Sequence, residues 1–424
     1  MNGRSWDCVV VGGGIAGLTA SIFLARVGKS VVVIEKSKEL GGRGRTIEKN
    51  GAFLNLGPHA LYSKGSACKI LDELGIRIEG GKVPVSGKLI SNGMCHDIPG
   101  DPLKLIKSPL LSWKAKKELI NFFIKYKKID TESIRNISLQ TWLQQKIKDQ
   151  EAQKLIMMLV RLSSYSGESE LLSAGAALKQ LQLGNVIYLH YGWQTMINQL
   201  RDEAIAAGVT FMKNKRVGGI KGVSPNIEVL IQEQDTLYAE TVLLAVSPQD
   251  VISILSNHEN NPDLSSLEKL VSVRAACLDV VLKEVPNPDI SFAMGLEEPF
   301  YYSNHSRVAK LSADGRDAVV HVMKYIGTTD QVKEEQVYGE LTTFLDTIQP
   351  GWEKAVSFKR YLPRMSVSNG LVMAKNGGLQ GRPTPSVLQI PGLYVAGDWV
   401  GNKGMLVDAC FESAREAAGM ICEI

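Results

Sequence analysis

The chain contains 424 residues, of which 44% are hydrophobic and 22% charged, and its formal net charge is +4 at pH 7. This composition is ordinary for a globular protein, and the length predicts two or three domains. The small net charge and the lack of a nucleic-acid-binding motif argue against a nucleic-acid partner. The six cysteines are scattered without a Cys-x-x-Cys pair, which predicts reduced thiols in the cytoplasm, no disulfide framework and no metal site.

The first predicted elements are a buried strand, a glycine-rich turn and a helix. Residues 8–11 (Cys-Val-Val-Val) form the strand. The turn that follows matches Gly-x-Gly-x-x-Gly through Gly12, Gly14 and Gly17. In such a turn the first glycine bends the chain, the second admits a pyrophosphate and the third lets the helix pack on the strand. The helix is predicted from Ile15 to about Val27, so that the N–H groups of Ile15 and Ala16 point toward phosphate.

A second predicted strand, residues 30–34, ends in an acid. Glu35 lies 18 positions after Gly17, where a carboxylate can bond a ribose hydroxyl, and Lys36 follows it. Strand, turn, helix, strand and acid therefore occur in the order of a dinucleotide-binding unit. A glycine-rich turn without a ligand would have no use for the acid.

Two further glycine-rich segments suit the same ligand. In Gly41-Gly42-Arg43-Gly44-Arg45, Arg43 offers a bidentate donor for phosphate and Gly42 lets the chain pass close by. Near the other end, an apolar strand stops at Gly397-Asp398, and an Ala-rich helix is predicted from about Ala409 to Cys422. The intervening turn presents backbone N–H groups at a helix start.

As a set, these motifs resemble the flavin-containing amine oxidase superfamily, on its phytoene desaturase and protoporphyrinogen oxidase-like branch. The resemblance also rests on Leu56-Gly57-Pro58, Gly192-Trp193, Val217 and residues 243–248 and 393–398. These pieces span nearly the whole chain in the family's order. The resemblance implies an α/β fold: a Rossmann-type, glutathione-reductase-like FAD-binding domain with a discontinuous α+β substrate domain.

The resemblance also implies roles in binding FAD. Glu35 would hold the adenosine ribose, Arg43 the diphosphate and the Val217 backbone the adenine. Asp398 would bond the ribityl or phosphate end, the backbone at 405–407 would approach the flavin pyrimidine edge, and residues 56–59 would run beside the isoalloxazine. The complete set is Gly12, Gly14, Ile15, Ala16, Gly17, Glu35, Lys36, Gly42, Arg43, Gly57, Pro58, Val217, Gly397, Asp398, Met405, Leu406 and Val407. Because residues 351–400 contain no cysteine, the covalent flavin cysteine of some monoamine oxidases has no counterpart, and noncovalent FAD is expected.

The order of predicted elements indicates an interleaved domain organisation. Residues 1–81, 185–250 and 381–424 are assigned to the FAD-binding domain. Residues 82–184, mostly helical, and 251–380 are assigned to the substrate domain. A second Gly-x-Gly-x-x-Gly is absent, which argues against a separate NAD(P)H domain.

Several polar and aromatic residues are candidates for the chemistry. His59 should lie near the flavin ring, where a histidine can shuttle a proton, although it can equally pack at the domain junction. The predicted substrate pocket contains Tyr191, Trp193, Tyr301, His305 and His321. The same residues would also serve as ordinary core or surface groups.

Two departures from true amine oxidases bear on the substrate. Those relatives carry a lysine on a strand that faces flavin N5, whereas residues 272–277 contain none. The segment at 404–408 supplies aliphatic groups where many amine oxidases supply an aromatic. Both departures favour a largely apolar organic substrate, dehydrogenated by hydride transfer to flavin N5 with O₂ or a quinone as electron acceptor. Phytoene-desaturase-like desaturation is the leading hypothesis, and porphyrinogen and amine oxidation are the alternatives.

Two functions of another class stay open at this level. One is a non-redox flavin-dependent isomerase or mutase, and the other is a binding protein like the GDP-dissociation inhibitors. The intact Gly12–Gly17 turn, Glu35 and Gly397-Asp398 argue against the second, because a flavin-free scaffold has no use for them.

One segment is a candidate for contact with a membrane. Residues 103–128 contain eight lysines and one glutamate, interleaved with large apolar residues, as in peripheral amphipathic segments. A solvated helical face over the substrate-domain core is the other interpretation. The apolar run at 8–25 belongs to the nucleotide-binding unit and is not interpreted as a targeting signal.

Overall fold

The computed structural model describes residues 5–84, 86–232, 236–331 and 333–423. The strands in these ranges are β1 (Ser5–Val11), β2 (Val31–Glu35), β3 (Thr46–Lys49), β4 (Ala52–Asn55), β5 (Leu61–Tyr62), β6 (Gly80–Lys82), β7 (Lys88–Ser91), β8 (Met94–Asp97), β9 (Val186–Leu189), β10 (Thr210–Lys213), β11 (Val217–Val223), β12 (Asn226–Ile231), β13 (Thr236–Leu244), β14 (Val273–Leu282), β15 (Phe292–Gly295), β16 (Phe300–Asn304), β17 (Ala318–Ile326), β18 (Val356–Ser368) and β19 (Leu393–Val395).

The α-helices in the same ranges are α1 (Ile15–Arg26), α2 (Ser66–Glu73), α3 (Pro102–Lys107), α4 (Trp113–Lys125), α5 (Leu139–Lys146), α6 (Gln150–Ser164), α7 (Ala174–Gln182), α8 (Gln194–Ala206), α9 (Pro248–Leu255), α10 (Ser265–Glu268), α11 (Glu334–Ile348) and α12 (Leu406–Cys422).

The first large sheet is assembled from both ends and the middle of the chain. Its strand order is β10-β2-β1-β13-β12-β11, and β19 also pairs with β13. Strands β10, β2, β1, β13 and β19 are parallel, and β11 and β12 join by antiparallel pairing. β1 and β2 read as continuous valine-rich runs because helices and loops bury both of their faces. This is the predicted Rossmann-type arrangement.

Helix α1 fixes the geometry of the nucleotide end of this sheet. Its side chains pack with those of α8 and α12, where Leu18 and Ile22 lie in one apolar cluster with Leu200 and Phe411. Since nearly every position of α1 is buried, the helix carries an apolar sequence on all sides. Its first turn is therefore held rigidly at the carboxyl end of β1.

The second large sheet has the order β18-β14-β17-β16-β15-β7-β8 and is antiparallel except where β15 pairs with β7. α11 packs against one of its faces, and helices of the 102–182 region pack against the other. β18 is an edge strand with an irregular register opposite Ala275–Cys277. At this irregularity Pro363 is tolerated, because it interrupts no regular ladder. The predicted domain boundaries themselves stay a prediction.

β13 is one long strand, which pairs with β12 near its start and with β1 along its length. α12 begins at Leu406, three residues before the predicted Ala409, because the chain turns at Gly404. In the region 82–184, β7 and β8 lie before Pro102 and join the second sheet, and the helices α3 to α7 follow from Pro102 onward.

Candidate functional site

The glycine turn after β1 leaves room for a ligand at its centre and nowhere else. Gly12 has φ +105°, and an added Cβ there would lie 2.6 Å from the carbonyl oxygen of Ala245. A Cβ on Gly17 would overlap the carbonyl oxygen of Gly12, so α1 can pack this closely only with glycine. A Cβ on Gly14, by contrast, would meet no atom within 4 Å. Gly14 caps α1 without a side-chain bond, so the first N–H groups of the helix stay available to an anion.

Glu35 is buried at the end of β2 and is held by backbone donors. Its Oε2 accepts from the N–H of Gly13 at 2.8 Å, and its Oε1 accepts from the N–H of Ser37 at 2.8 Å. These two bonds fix the carboxylate beside the glycine turn and leave lone pairs for a further donor. The position and orientation fit a ribose hydroxyl.

Arg43 and Asp398 meet at the middle of the site. The guanidinium of Arg43 donates to Oδ2 of Asp398 at 2.9 Å and to the carbonyl of Val367 at 3.1 Å. Burial disfavours the charged form of each side chain. Their mutual attraction and hydrogen bond nevertheless lower the pKa of Asp398 and raise the pKa of Arg43. Gly42 has φ +54°, and its Cβ would approach the Cα of Gly14 to 3.5 Å. The two glycine-rich segments therefore face the same space.

The turn around Asp398 is stabilised by residues that the sequence did not single out. Asn369 donates to the Asp398 carboxylate from its backbone N–H at 3.1 Å and from its Nδ2 at 3.3 Å. Arg382 is buried and donates to the carbonyls of Asp398, Lys403 and Gly404. Neither residue belongs to a motif, so no sequence signal would have found them.

The start of α12 carries a strained residue at the cavity wall. Leu406 has φ +55°, an unusual conformation for a residue with a side chain. Asp408 in the first turn accepts from the N–H of Ala67 at 2.7 Å. Burial raises the pKa of Asp408 to about 6, and Glu412 adds to this effect.

These segments enclose a cavity of about 780 Å³, within the size range of about 300–1,000 Å³ for cofactor sites. Its polar lining includes the glycine turn, Glu35, Arg43, His59, Arg364, Ser366 and Asn369. The apolar part of its lining, the apolar end, consists of Leu56, Pro58, Ala60, Tyr165, Trp193, Leu362, Pro363, Met365 and Leu406. The residues present thus fit a dinucleotide with an apolar ring system.

The predicted FAD-binding residues fall into two groups. Gly12, Gly14, Ile15, Ala16, Glu35, Lys36, Gly42, Arg43, Pro58, Gly397, Asp398, Leu406 and Val407 line the cavity. Gly17, Gly57, Val217 and Met405 lie outside the cavity wall. Gly17 packs under Gly12, and Gly57 lies against Met365. Val217 is buried at the start of β11.

The predicted substrate-pocket residues are not all brought together. Trp193 lines the cavity, but Tyr191 is 42% exposed and packs edge-to-face on Phe53. Tyr301, His305 and His321 form a buried cluster outside the cavity wall, where His305 stacks on Tyr188 with ring centroids 3.6 Å apart. A cavity residue that the sequence missed is Tyr165. It has φ +58°, and its hydroxyl donates to the carbonyl of Pro58 at 3.2 Å.

A buried ionic network joins this cluster to β4, a strand of the separate β3–β4 sheet. Asp279 accepts from Nε of Arg360 at 2.9 Å and from Nδ1 of His321 at 2.6 Å. Arg360 also donates to the carbonyl of Asn55, just before the predicted flavin segment. Cys277, Asp279 and His321 have the composition of metal ligands. However, the thiol and the imidazole N–H both donate to Asp279, and Arg360 supplies the opposing charge, so hydrogen bonds account for the cluster.

Cys410 is the cavity-lining thiol. Burial raises its pKa to about 12, and the neighbouring Asp398 adds to this effect. Since the thiolate is the nucleophilic form, a thiol with such a pKa is unreactive toward a bound flavin.

In the part of the chain that the structure describes, no helix is long and apolar enough to cross a membrane.

Fold and site together define a dinucleotide-binding flavoprotein. The family described as flavin containing amine oxidoreductase matches residues 15–422, and the chain belongs to this family. This assignment confirms the resemblance seen in the sequence, the FAD cofactor and the class of FAD-dependent oxidoreductases.

Solved structures of the fold agree over the whole chain. A triple mutant of putrescine oxidase superposes with a TM-score of 0.77 at 18% identity, covering 99% of both chains. A putative protoporphyrinogen oxidase from Exiguobacterium sp. 255-15 superposes with a TM-score of 0.71 at 18% identity, covering 99% of this chain and all of that one. At this identity the likeness shows the fold alone.

Curated relatives match over shorter segments. Protoporphyrinogen oxidase 2 of Arabidopsis thaliana is 31% identical over 115 residues, which are 26% of this chain and 22% of that protein. Carotenoid 3,4-desaturase of Haloarcula japonica is 46% identical over 52 residues, which are 12% of this chain and 10% of that protein. The matches thus span less than a quarter of these relatives, and they leave the substrate undetermined.

Proposed function

We propose that the protein is an FAD-dependent dehydrogenase of a largely apolar organic substrate. The observation that carries this proposal is the aliphatic wall of the cavity, to which Leu56, Pro58, Leu362, Met365 and Leu406 contribute. When bound, FAD supplies the hydride acceptor, flavin N5. The protein's part is to bind the cofactor, to orient the substrate and to keep water from the apolar end.

The charges around the cavity disfavour an ammonium substrate. Three carboxylates line it, and each is already engaged within the described residues. Glu35 accepts two backbone N–H groups, Asp250 pairs with Lys36, and Asp398 pairs with Arg43. Apart from Glu35, which is assigned to the cofactor ribose, these carboxylates already have cationic partners, so a cationic amine would lose hydration without gaining an unpaired carboxylate.

We propose the cofactor contacts that the sequence predicts, most of which line the cavity, with Val217 and Met405 outside its wall. Glu35 would hold the adenosine ribose, Arg43 the diphosphate and Asp398 the ribityl or phosphate end. The Val217 backbone would approach the adenine, and the backbone of 405–407 would approach the flavin pyrimidine edge. These assignments are supported by the open space at Gly14 and by the helix starts that face the cavity. The unreactive Cys410 supports noncovalent binding.

Carbon–carbon desaturation of an isoprenoid, as by phytoene desaturases, is our leading proposal for the reaction. The match to a carotenoid desaturase supports it, together with the aliphatic cavity wall. Porphyrinogen oxidation is the second candidate, favoured by the match to protoporphyrinogen oxidase 2. We further propose O₂ or a quinone as the electron acceptor.

Anaerobic flavin reduction tests these proposals. The purified holoprotein is mixed with phytoene in detergent, with protoporphyrinogen or with putrescine, and the flavin absorbance is followed. Bleaching with phytoene alone is the expected result. Bleaching with protoporphyrinogen would favour the second candidate, and bleaching with putrescine would overturn the apolar-substrate proposal. Conversion of substrate without net oxidation would identify an isomerase, and failure to bind FAD would favour a binding protein.

Reoxidation of the reduced flavin by air, compared with reoxidation by a soluble quinone, then identifies the electron acceptor.

We also propose that residues 103–128 contact an anionic membrane surface from the cytoplasm. On α3 and α4, Leu103, Trp113 and Ile124 are 69%, 72% and 69% exposed. Trp113 and Ile124 lie eleven residues apart, hence on one helical face, and Lys117 lies between them on that face. The opposite face, with Ala115, Leu119 and Phe122, packs into the core. Exposed apolar groups among lysines suit an interface that attracts cations and accepts apolar side chains.

Tryptophan fluorescence tests this contact directly, because Trp113 is exposed and the other five tryptophans are buried. Vesicles containing phosphatidylserine should shift the emission to the blue, and added salt should weaken binding. Replacing Trp113 and Ile124 by serine should abolish co-sedimentation with vesicles. The matched control is Ile205→Ser, at an exposed apolar site on α8. Equal binding to neutral vesicles, or no binding at low salt, would contradict the proposal.

A further inference from the structure

The imidazole of His59 lies between two loops that form the cavity wall. Its Nδ1 is 3.0 Å from the carbonyl oxygen of Gly57, and its Nε2 is 3.1 Å from the carbonyl oxygen of Arg43. Gly57 lies in the loop just before Pro58. Arg43 lies in the other loop, and its guanidinium pairs with Asp398. His59 thus joins the predicted flavin segment to the predicted diphosphate segment.

The number of hydrogen bonds that His59 can donate to these two carbonyl oxygens depends on the charge of its ring. A carbonyl oxygen can only accept, and a neutral imidazole has a single N–H to donate. The neutral ring therefore satisfies one of the two carbonyls and turns a lone pair toward the other. The imidazolium form donates from both nitrogens and satisfies both.

The groups packed around His59 leave its charge sensitive to the contents of the cavity. Burial lowers the pKa of His59, and His321 on β17 lowers it further, while the two carbonyls and Asp279 on β14 raise it. The Arg43 guanidinium is compensated by Asp398, and Asp279 is compensated by Arg360. His305 lies in the same buried group, and the uncharged Trp193 ring packs edge-to-face at 4.6 Å. Because the surrounding charges are paired, a new anion in the cavity would decide whether the His59 ring is neutral or protonated.

We propose that His59 takes up a proton from solvent when FAD binds, and that the resulting imidazolium locks the Arg43 and Gly57 loops together around the cofactor. The FAD pyrophosphate is anionic, and a nearby negative charge favours the protonated form of a histidine. The role is that of a positioning residue, since both ring nitrogens are engaged by backbone and neither faces the cavity as a free base. This inference rests on the FAD cofactor and is independent of which substrate the protein oxidises.

Calorimetry of FAD binding to the flavin-free protein tests the proton uptake. Binding heats are measured at pH 7 in phosphate and in Tris, whose ionisation enthalpies differ, and their difference gives the protons taken up per FAD. We expect a fractional uptake approaching about one proton, and an FAD Kd that tightens by up to about tenfold per unit as the pH is lowered through this range. His59→Gln, which cannot become charged, should show neither effect. The matched control His190→Gln, at the histidine that accepts from the N–H of Lys310, should keep both.

A second measurement holds even if His59→Gln binds FAD too weakly for calorimetry. In protein labelled with ¹⁵N-histidine, both ring nitrogens of His59 should show protonated shifts with FAD, and one should be unprotonated without it. Equal uptake in His59→Gln, heats that do not depend on buffer, or an unprotonated ring nitrogen in the FAD-bound protein would each overturn the proposal. None of these readouts involves substrate, so they are separate from the tests of the dehydrogenase proposal.

Discussion

The guanidinium of Arg43 donates to the carboxylate of Asp398 at 2.9 Å, although the two residues are 355 positions apart in the chain. Arg43 belongs to the loop after the first βαβ unit, and Asp398 lies three residues after β19, the last strand of the same sheet. Their contact places both ends of the chain at the middle of the cavity, and it is the element of the site most open to direct test.

Replacing Arg43 by Met should weaken FAD binding by at least about tenfold, or ~1.4 kcal/mol. It should also lower the free energy of unfolding by about 2 kcal/mol, because it removes a charged hydrogen bond to the buried Asp398. Arg43→Lys keeps the charge but not the planar fork, so its FAD affinity and its free energy of unfolding should lie between those of the wild type and of Arg43→Met. Flavin fluorescence titration and urea denaturation measure both effects. An unchanged Kd in Arg43→Met would remove Arg43 from the proposed diphosphate site.

Gly17→Ala should destabilise the protein by about 1–3 kcal/mol and abolish FAD binding, because its Cβ would overlap the carbonyl oxygen of Gly12. The matched control is Gly419→Ala in α12, where a Cβ would meet no atom within 4 Å. That substitution should stabilise the protein by about 0.5–1 kcal/mol, since alanine is the better helix former. Thermal unfolding of the two variants should therefore shift in opposite directions.

Asp408 should make the protein less stable as the pH rises from about 4 to 6. Burial raises its pKa from 3.8 to about 6, so over this interval the folded state binds a proton that the unfolded state releases. Above pH 6 the ionised carboxylate costs up to about 3 kcal/mol. Asp408→Asn keeps an acceptor for the N–H of Ala67 and should remove the effect. Urea unfolding should then show the variant more stable than the wild type at both pH 5 and pH 7.5, with the larger gain at pH 7.5. A slope that persists in the variant would assign the effect to another group.

Arg360→Met should cost about 3–5 kcal/mol, because it leaves the fully buried Asp279 without its cationic partner. Asp279→Asn in the same protein should restore part of the loss, since it removes the uncompensated charge and keeps an acceptor for His321. A double-mutant cycle by denaturant unfolding should give a coupling energy of about 1–3 kcal/mol. Strictly additive losses would show that the two side chains do not stabilise each other.

The sequence predicted those parts of the site in which a local conformation demands a residue type. The turn at Gly12–Gly17 requires a positive φ and a close helix approach, and only glycine provides both. Glu35 ends β2 at the spacing that the βαβ unit fixes, so its position could be predicted from the chain order alone. The family motifs extended this prediction to the loops at 41–45 and 397–398.

The remaining parts depend on contacts between distant segments that no local pattern encodes. Arg382 and Asn369 hold the Asp398 turn, yet neither has a distinctive neighbourhood in the sequence. Tyr301, His305 and His321 were predicted at the substrate pocket, but packing against Tyr188 buries them outside the cavity wall. The sequence of a strand shows which side chains point to the same face of the sheet. Whether that face lines the cavity or is covered by other side chains is decided only when the sheet and the helices pack.

By itself, the sequence determined the dinucleotide-binding βαβ unit and its glycine turn, because both follow from backbone geometry within a few residues, and the family resemblance implied that the dinucleotide is FAD. The tertiary structure decided which charges are paired, which aromatics reach the cavity and what faces the two nitrogens of His59. Those features depend on side chains that meet across hundreds of residues, where burial and hydrogen-bond partners are set by packing and not by neighbours in the chain.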